Sequence, residues 1–143
     1  MSDLYETDIL AWSEDQAARL RRVAAADGLN DASPDWPNII EEIESVGREQ
    51  LHAVESLLFQ AFVHLLKAEA WPVARDAPHW RAEARGFRLR ARRRFAPSMR
   101  QRLDLPGIYA DALRALPETV DGQAPLPVPA ECPATLDEML MEV

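Results

Sequence analysis

Apolar residues recur along this chain at the three-and-four spacing of an α-helix, not at the alternation of a strand. The clearest run is Trp36, Ile40, Ile43, Gly47, Val54, Leu58, Ala61 and Leu65, one stripe widened by Ile39, Leu51, Leu57 and Phe62. It predicts a helix from about Trp36 to Ala70, with Asp35 as its cap and Pro37 tolerated in its first turn. At about 1.5 Å per residue such a helix is on the order of 50 Å long. Gly47 lies on the stripe itself and in mid-helix costs about 1 kcal/mol against Ala. A second helix crossing closely at that point would account for it. Upstream, Ser13-Glu14-Asp15-Gln16 reads as a capping box opening a helix that reaches Ala26 and stops at Asp27-Gly28. Residues 5–12 form a short helical lead-in and residues 30–35 a loop.

Downstream, Trp80, Ala84, Phe87, Ala91 and Phe95 give a third helix over about residues 80–94, after a loop holding Pro72 and Pro78. Pro97 ends or kinks it, Ser98 restarts it to about Leu103, and a shorter helix follows Pro106-Gly107 over residues 108–116. Five of the eleven prolines fall in residues 117–133, so residues 117–134 read as an extended segment docked on the body. Thr135-Leu136-Asp137-Glu138 caps a last short helix that offers Leu136, Met139 and Leu140 for docking. The expectation is an all-α fold. A long central helix runs antiparallel to an Arg-rich helix, within a single domain spanning residues 1–143.

Composition adds little to the fold and something to the chemistry. The chain has 143 residues, 48% apolar and 28% charged, which is ordinary globular composition. Arg outnumbers Lys fifteen to one, a habit of GC-rich bacterial coding. The single cysteine, Cys132, excludes an internal disulfide and a thiolate-rich metal site. The first ten residues carry acids where a secretory signal carries bases, and no apolar run matches a membrane span. A soluble, cytoplasmic protein with no membrane partner is expected. The net charge of −8 hides an asymmetry: from Arg75 to Arg102 there are ten Arg against Asp76 and Glu83, a net of +8, so the remainder carries −16.

Several motifs occur in order. They are Tyr5-Glu6-Thr7-Asp8 with Ala11-Trp12, then Asp35-Trp36 with Asn38-Ile39, then Glu41-Glu42-Ile43-Glu44-Ser45-Val46-Gly47. His64-Leu65-Leu66-Lys67, Trp80-Arg81, and Glu131-Cys132-Pro133 with Thr135-Leu136 follow. Together they resemble the bacterial "domain of unknown function 29" family over nearly the whole chain. The family's aromatic after the Lys of the His-Leu-Leu-Lys motif stands later here, at Trp71. The resemblance implies an all-helical fold and, since the family has no agreed activity, no catalytic or binding residues.

The candidate chemistry therefore rests on the residues. Arg81, Arg85, Arg88 and Arg92 form one row about 90° around the third helix from its apolar stripe, and Arg90 and Arg94 flank the other side. In an antiparallel hairpin about residues 71–79, Glu55 faces the neighbourhood of Arg94 and Glu49 that of Arg100. Internal neutralisation of the block by the acids at positions 41–55 thus competes with a binding role. The leading reading is a non-enzymatic helical module that binds another protein, an acidic one, through a charge-segregated surface. The alternative is nucleic-acid binding through the basic block. A third reading is a helical-bundle metal protein or enzyme using Glu41, Glu42, Glu44, Glu49, His52 and His64. Glu49 and His52 have a Glu-x-x-His spacing, but di-iron bundles need two such motifs pointing inward. His64, on the margin of the stripe, reads as a half-buried histidine with one hydrogen bond. No catalytic residue and no cofactor is expected. A homo-oligomer would suit the long stripe equally well.

Overall fold

The structure, a computed structural model, describes residues 3–28, 30 and 32–141. Asp31, in the expected loop, lies outside the described residues. The elements in order are α1 (Leu4–Thr7), α2 (Ile9–Ala26), α3 (Trp36–Ala70), α4 (Ala77–Arg94), a 3-10 turn (Pro97–Gln101), α5 (Leu105–Arg114) and α6 (Leu136–Met141). Among the described residues there is no strand, only an isolated antiparallel pairing of Val120 with Gln123. The fold is all-helical, and no helix is long and apolar enough to cross a membrane among those residues. The chain divides into two compact units, Met1–His52 with Ala96–Arg102, and Ala53–Phe95 with Leu103–Val143. The first half of α3 belongs to one and the second half to the other.

In the first unit the helix expected to start at Ser13 starts four residues earlier. Asp8 is the cap: its carboxylate accepts from the Ala11 N–H at 3.0 Å. Ser13 lies inside α2, fully buried, and its hydroxyl donates to the Leu10 carbonyl at 2.9 Å. The reason is tertiary. A Cβ built on Gly47 would sit 2.1 Å from Ser13 Oγ and 3.0 Å from Leu10 Cδ1, so α2 and α3 cross with almost nothing between their backbones. Asp8 also accepts from the Ser98 N–H at 2.8 Å and the Ser98 hydroxyl at 2.6 Å, which ties the 3-10 turn to the start of α2. Trp36 donates its indole N–H to Asp27 at 3.0 Å, and Arg21 pairs with Glu44.

The second unit holds the hairpin. His64 meets the Phe87 ring at 5.2 Å between centroids and Lys67 Nζ lies 4.6 Å over Trp80, so α3 and α4 run antiparallel away from their turn. Both α4 and α5 begin three residues before the sequence suggests, at Ala77 and Leu105, each with a proline inside its first turn. A proline there removes an N–H that has no intrahelical acceptor, so the helix gives up nothing. Asp104 caps α5 by accepting from the Gly107 N–H at 3.2 Å. The capping box of α6 is reciprocal: the Glu138 N–H donates to Thr135 Oγ1 at 3.1 Å and the Thr135 N–H to Glu138 Oε1 at 3.0 Å. On α3, Leu66 is buried and Leu65 half-buried, while Ile39 is 39% exposed and does not widen the stripe.

The proline-rich segment is fastened to this unit at three points. The Leu126 N–H donates to the Ala70 carbonyl at 2.9 Å, the Trp71 indole N–H to the Gln123 carbonyl at 2.9 Å, and the Tyr109 hydroxyl to the Pro129 carbonyl at 2.6 Å. A tight turn reverses the chain at Asp121 (φ 53°) and Gly122 (φ 76°).

Candidate functional site

The arginine face of α4 is the most distinctive chemical feature of the surface. Trp80, Ala84 and Ala91 are buried on one side of the helix, which fixes the orientation of everything else on it. With residues about 100° apart, Arg81, Arg85, Arg88 and Arg92 follow one flank and Arg90 and Arg94 the other, with Ala82, Gly86, Leu89 and Arg93 on the outer side between them. Arg81, Arg85, Arg90, Arg92, Arg93 and Arg94 are all exposed. Among the described residues Arg81, Arg85, Arg92, Arg93 and Arg94 make no hydrogen bond or ion pair, and Arg94 does not pair with Glu55. The one acid on α4, Glu83, lies 3.5 Å from His79 Nε2 and neutralises none of them.

Two of the arginines have local employment. Arg88 is half-buried and donates to the Met139 carbonyl at 3.0 Å and the Glu138 carbonyl at 2.7 Å, in the last turn of α6. Both carbonyls lie in the last turn of α6, where a cation is favourably placed, so Arg88 acts as a cationic cap. Arg90 places its guanidinium 4.8 Å over the Phe87 ring while remaining exposed. The sequence row of four is thus three outward arginines and one that holds the last helix. Nothing in helical spacing distinguishes Arg88, because its partner is fifty residues away in the chain.

The other candidates are dispersed. Glu49 and His52 are exposed, Glu41 pairs with Arg48, and Glu44 pairs with Arg21. No group of three or more His, Cys, Asp or Glu among the described residues is arranged to hold a metal ion. His64 is half-buried with Nδ1 2.7 Å from the Gln60 carbonyl, so Nδ1 carries the proton and donates. Cys132 is half-buried, its thiol 3.3 Å from the Ala134 carbonyl.

Sequence reading missed Asp8. It is buried with three donors on one carboxylate. Burial is the largest influence and pushes its pKa up. The Ser98 hydroxyl and the Ala11 and Ser98 N–H groups outweigh it and hold the carboxyl below the ordinary 3.8. Tyr109 moves the other way: burial first, then the charges of Glu69 and Cys132, push the phenol above 10.0, so it stays a donor to Pro129. Both groups serve the fold. An apolar hollow of about 240 Å³ is lined by Trp71, Val73, Val120 and Leu126 at the end of the α3–α4 hairpin.

An all-helical body carrying a basic helix on an acidic chain is the class these observations define. The chain belongs to the family described as domain of unknown function DUF29, whose model matches residues 4–143. It is similar to a crystal structure of an α-helical protein of unknown function from Rhodospirillum rubrum. The two share 25% identity and a TM-score of 0.81 over 99% of this chain and 92% of that one. No curated protein matches the chain.

Proposed function

We propose that this chain acts by binding rather than by catalysis, docking an acidic protein surface on the arginine face of α4. The observation that carries the reading is that Arg81, Arg85, Arg92, Arg93 and Arg94 are exposed and unpaired among the described residues. Like charges three or four apart on a helix cost about 0.2–0.5 kcal/mol each. Arg81 with Arg85, Arg85 with Arg88, Arg88 with Arg92 and Arg90 with Arg94 are all such pairs. The helix dipole accounts for arginines in the last turn, at positions 92, 93 and 94. It gives no such support to Arg81 and Arg85, which lie well before the last turn. An acidic partner relieves that repulsion.

Protein is favoured over nucleic acid by charge. Outside the block the chain carries −16, which repels a long phosphate backbone but not a short acidic segment laid along one helix. The test compares wild type with a variant carrying Gln at positions 81, 85, 92, 93 and 94, by fluorescence anisotropy against a labelled poly-glutamate peptide and a duplex DNA. Wild type binds the peptide at low salt and weakens as salt rises. The variant loses at least about tenfold, equivalent to 1.4 kcal/mol, with unchanged helicity. Preference for duplex turns the reading to nucleic acid, and binding to neither probe removes it.

A further inference from the structure

Two exposed faces of this chain carry the same spacing with opposite charge. On the first half of α3, Glu42, Val46 and Glu49 stand at i, i+4 and i+7. On α4, Arg85, Leu89 and Arg92 stand at i, i+4 and i+7. All four charged residues are exposed, and the apolar residue at each centre is too: Val46 at 39% and Leu89 at 48%, among the few large apolar side chains so placed. None of the four charged side chains forms an ion pair among the described residues.

We infer that the acidic partner of the arginine face is a second copy of this chain, docking its Glu42–Val46–Glu49 face on Arg85–Leu89–Arg92. This rests on the reading of α4 as a docking surface and names its occupant. Charges seven residues apart are about 10.5 Å apart on both helices. In a parallel, in-register pair Glu42 meets Arg85, Val46 meets Leu89 and Glu49 meets Arg92 together. Complementary charges around a small apolar centre fix the register, as at the flanks of paired helices, and the parallel orientation is the one that also aligns Val46 with Leu89. The helix surfaces also permit close approach. Ser45 is the small residue beside Val46, and a Cβ on Gly86 would meet nothing within 4 Å. Gly86 thus has open space on its outer side, unlike Gly47, which is occupied by Ser13.

The contact is heterologous, since one surface docks on a different one, so it builds a ring or an open chain. Sedimentation velocity on the full chain over a range of concentrations tests it, at low and at moderate salt. Wild type self-associates at low salt and dissociates as salt rises. Arg85→Glu/Arg92→Glu and Glu42→Arg/Glu49→Arg each weaken self-association at least about tenfold. Mixed together, the first supplies a native acidic face and the second a native basic one, and the two reversed faces complement each other as well, so the mixture regains association that neither variant shows alone. Both variants keep a negative net charge, so general attraction does not explain recovery. Leu89→Ser, which keeps every charge, also weakens association. A wild type monomeric at every concentration and salt overturns the inference, as do charge reversals without effect or a mixture that stays monomeric. Binding of poly-glutamate by that monomer leaves the docking reading standing. Loss of both removes the two together.

Discussion

Gly47 and Asp8 show how much a single residue decides in this fold. At Gly47 the helix accepts the poor propensity of glycine because α2 crosses there, with Ser13 Oγ 2.1 Å from where a Cβ would be. Gly47→Ala gains helix propensity and loses far more to overlap with buried neighbours. A destabilisation of about 1–3 kcal/mol is expected, read as a lower denaturant midpoint; an unchanged or raised midpoint contradicts the crossing. Asp8 has a folded-state pKa below its unfolded value, so the stability it contributes is complete above about pH 4. That stability is lost as pH falls through the folded value. Asp8→Asn lacks this dependence. The gap in melting temperature between wild type and Asp8→Asn is therefore widest near neutrality and narrows below pH 4 or so, and a gap independent of pH contradicts the role given to Asp8.

Among the elements, α6 depends most on something outside itself. Six residues are too few for a stable isolated helix. The Thr135–Glu138 box holds its start, Arg88 its end, and the buried Met139 and Leu140 its face. Arg88→Gln leaves the two carbonyls without their cationic donor, at a cost of about 1–3 kcal/mol. Hydrogen exchange is expected to quicken in residues 136–141 while α2, in the other unit, keeps its protection. Uniform loss of protection, or none, counts against a local capping role. The same measurement separates Arg88 from the outward arginines, whose removal is expected to leave α6 untouched.

At the scale of the molecule, the division into two compact units raises the question of how the chain unfolds. One continuous helix, α3, supplies part of the core of each, and breaking it in either unit removes structure from both. We expect a single cooperative transition. The four Trp make this measurable: Trp12 and Trp36 belong to the first unit, Trp71 and Trp80 to the second. Replacing one pair by Phe at a time lets fluorescence report each unit in turn. Coincident midpoints, corrected for the substitutions, support one domain over residues 1–143. Two separated transitions overturn it.

Local rules sufficed wherever a segment's structure depends on its own few residues. The stripe from Trp36 to Ala70 is long enough that one helix accommodates it, and Thr135-x-x-Glu138 closes its box within a single turn. Proline hid the starts of α4 and α5, because the same residue ends one helix and opens another depending on a few positions of register. The long-range pairings were illegible for a different reason. Ser13 has the side chain of a helix cap but is buried against Gly47, thirty-four positions on, while Asp8 caps the helix and reaches Ser98. Arg88 matches Arg85 and Arg92 in type and spacing, yet only the return of α6 makes it structural. The sequence by itself determined the helices and the concentration of positive charge on one of them, since both follow from composition and period. Tertiary structure alone decided which of those charges the fold uses and which face solvent, because that depends on which distant carbonyls and carboxylates come within hydrogen-bonding reach.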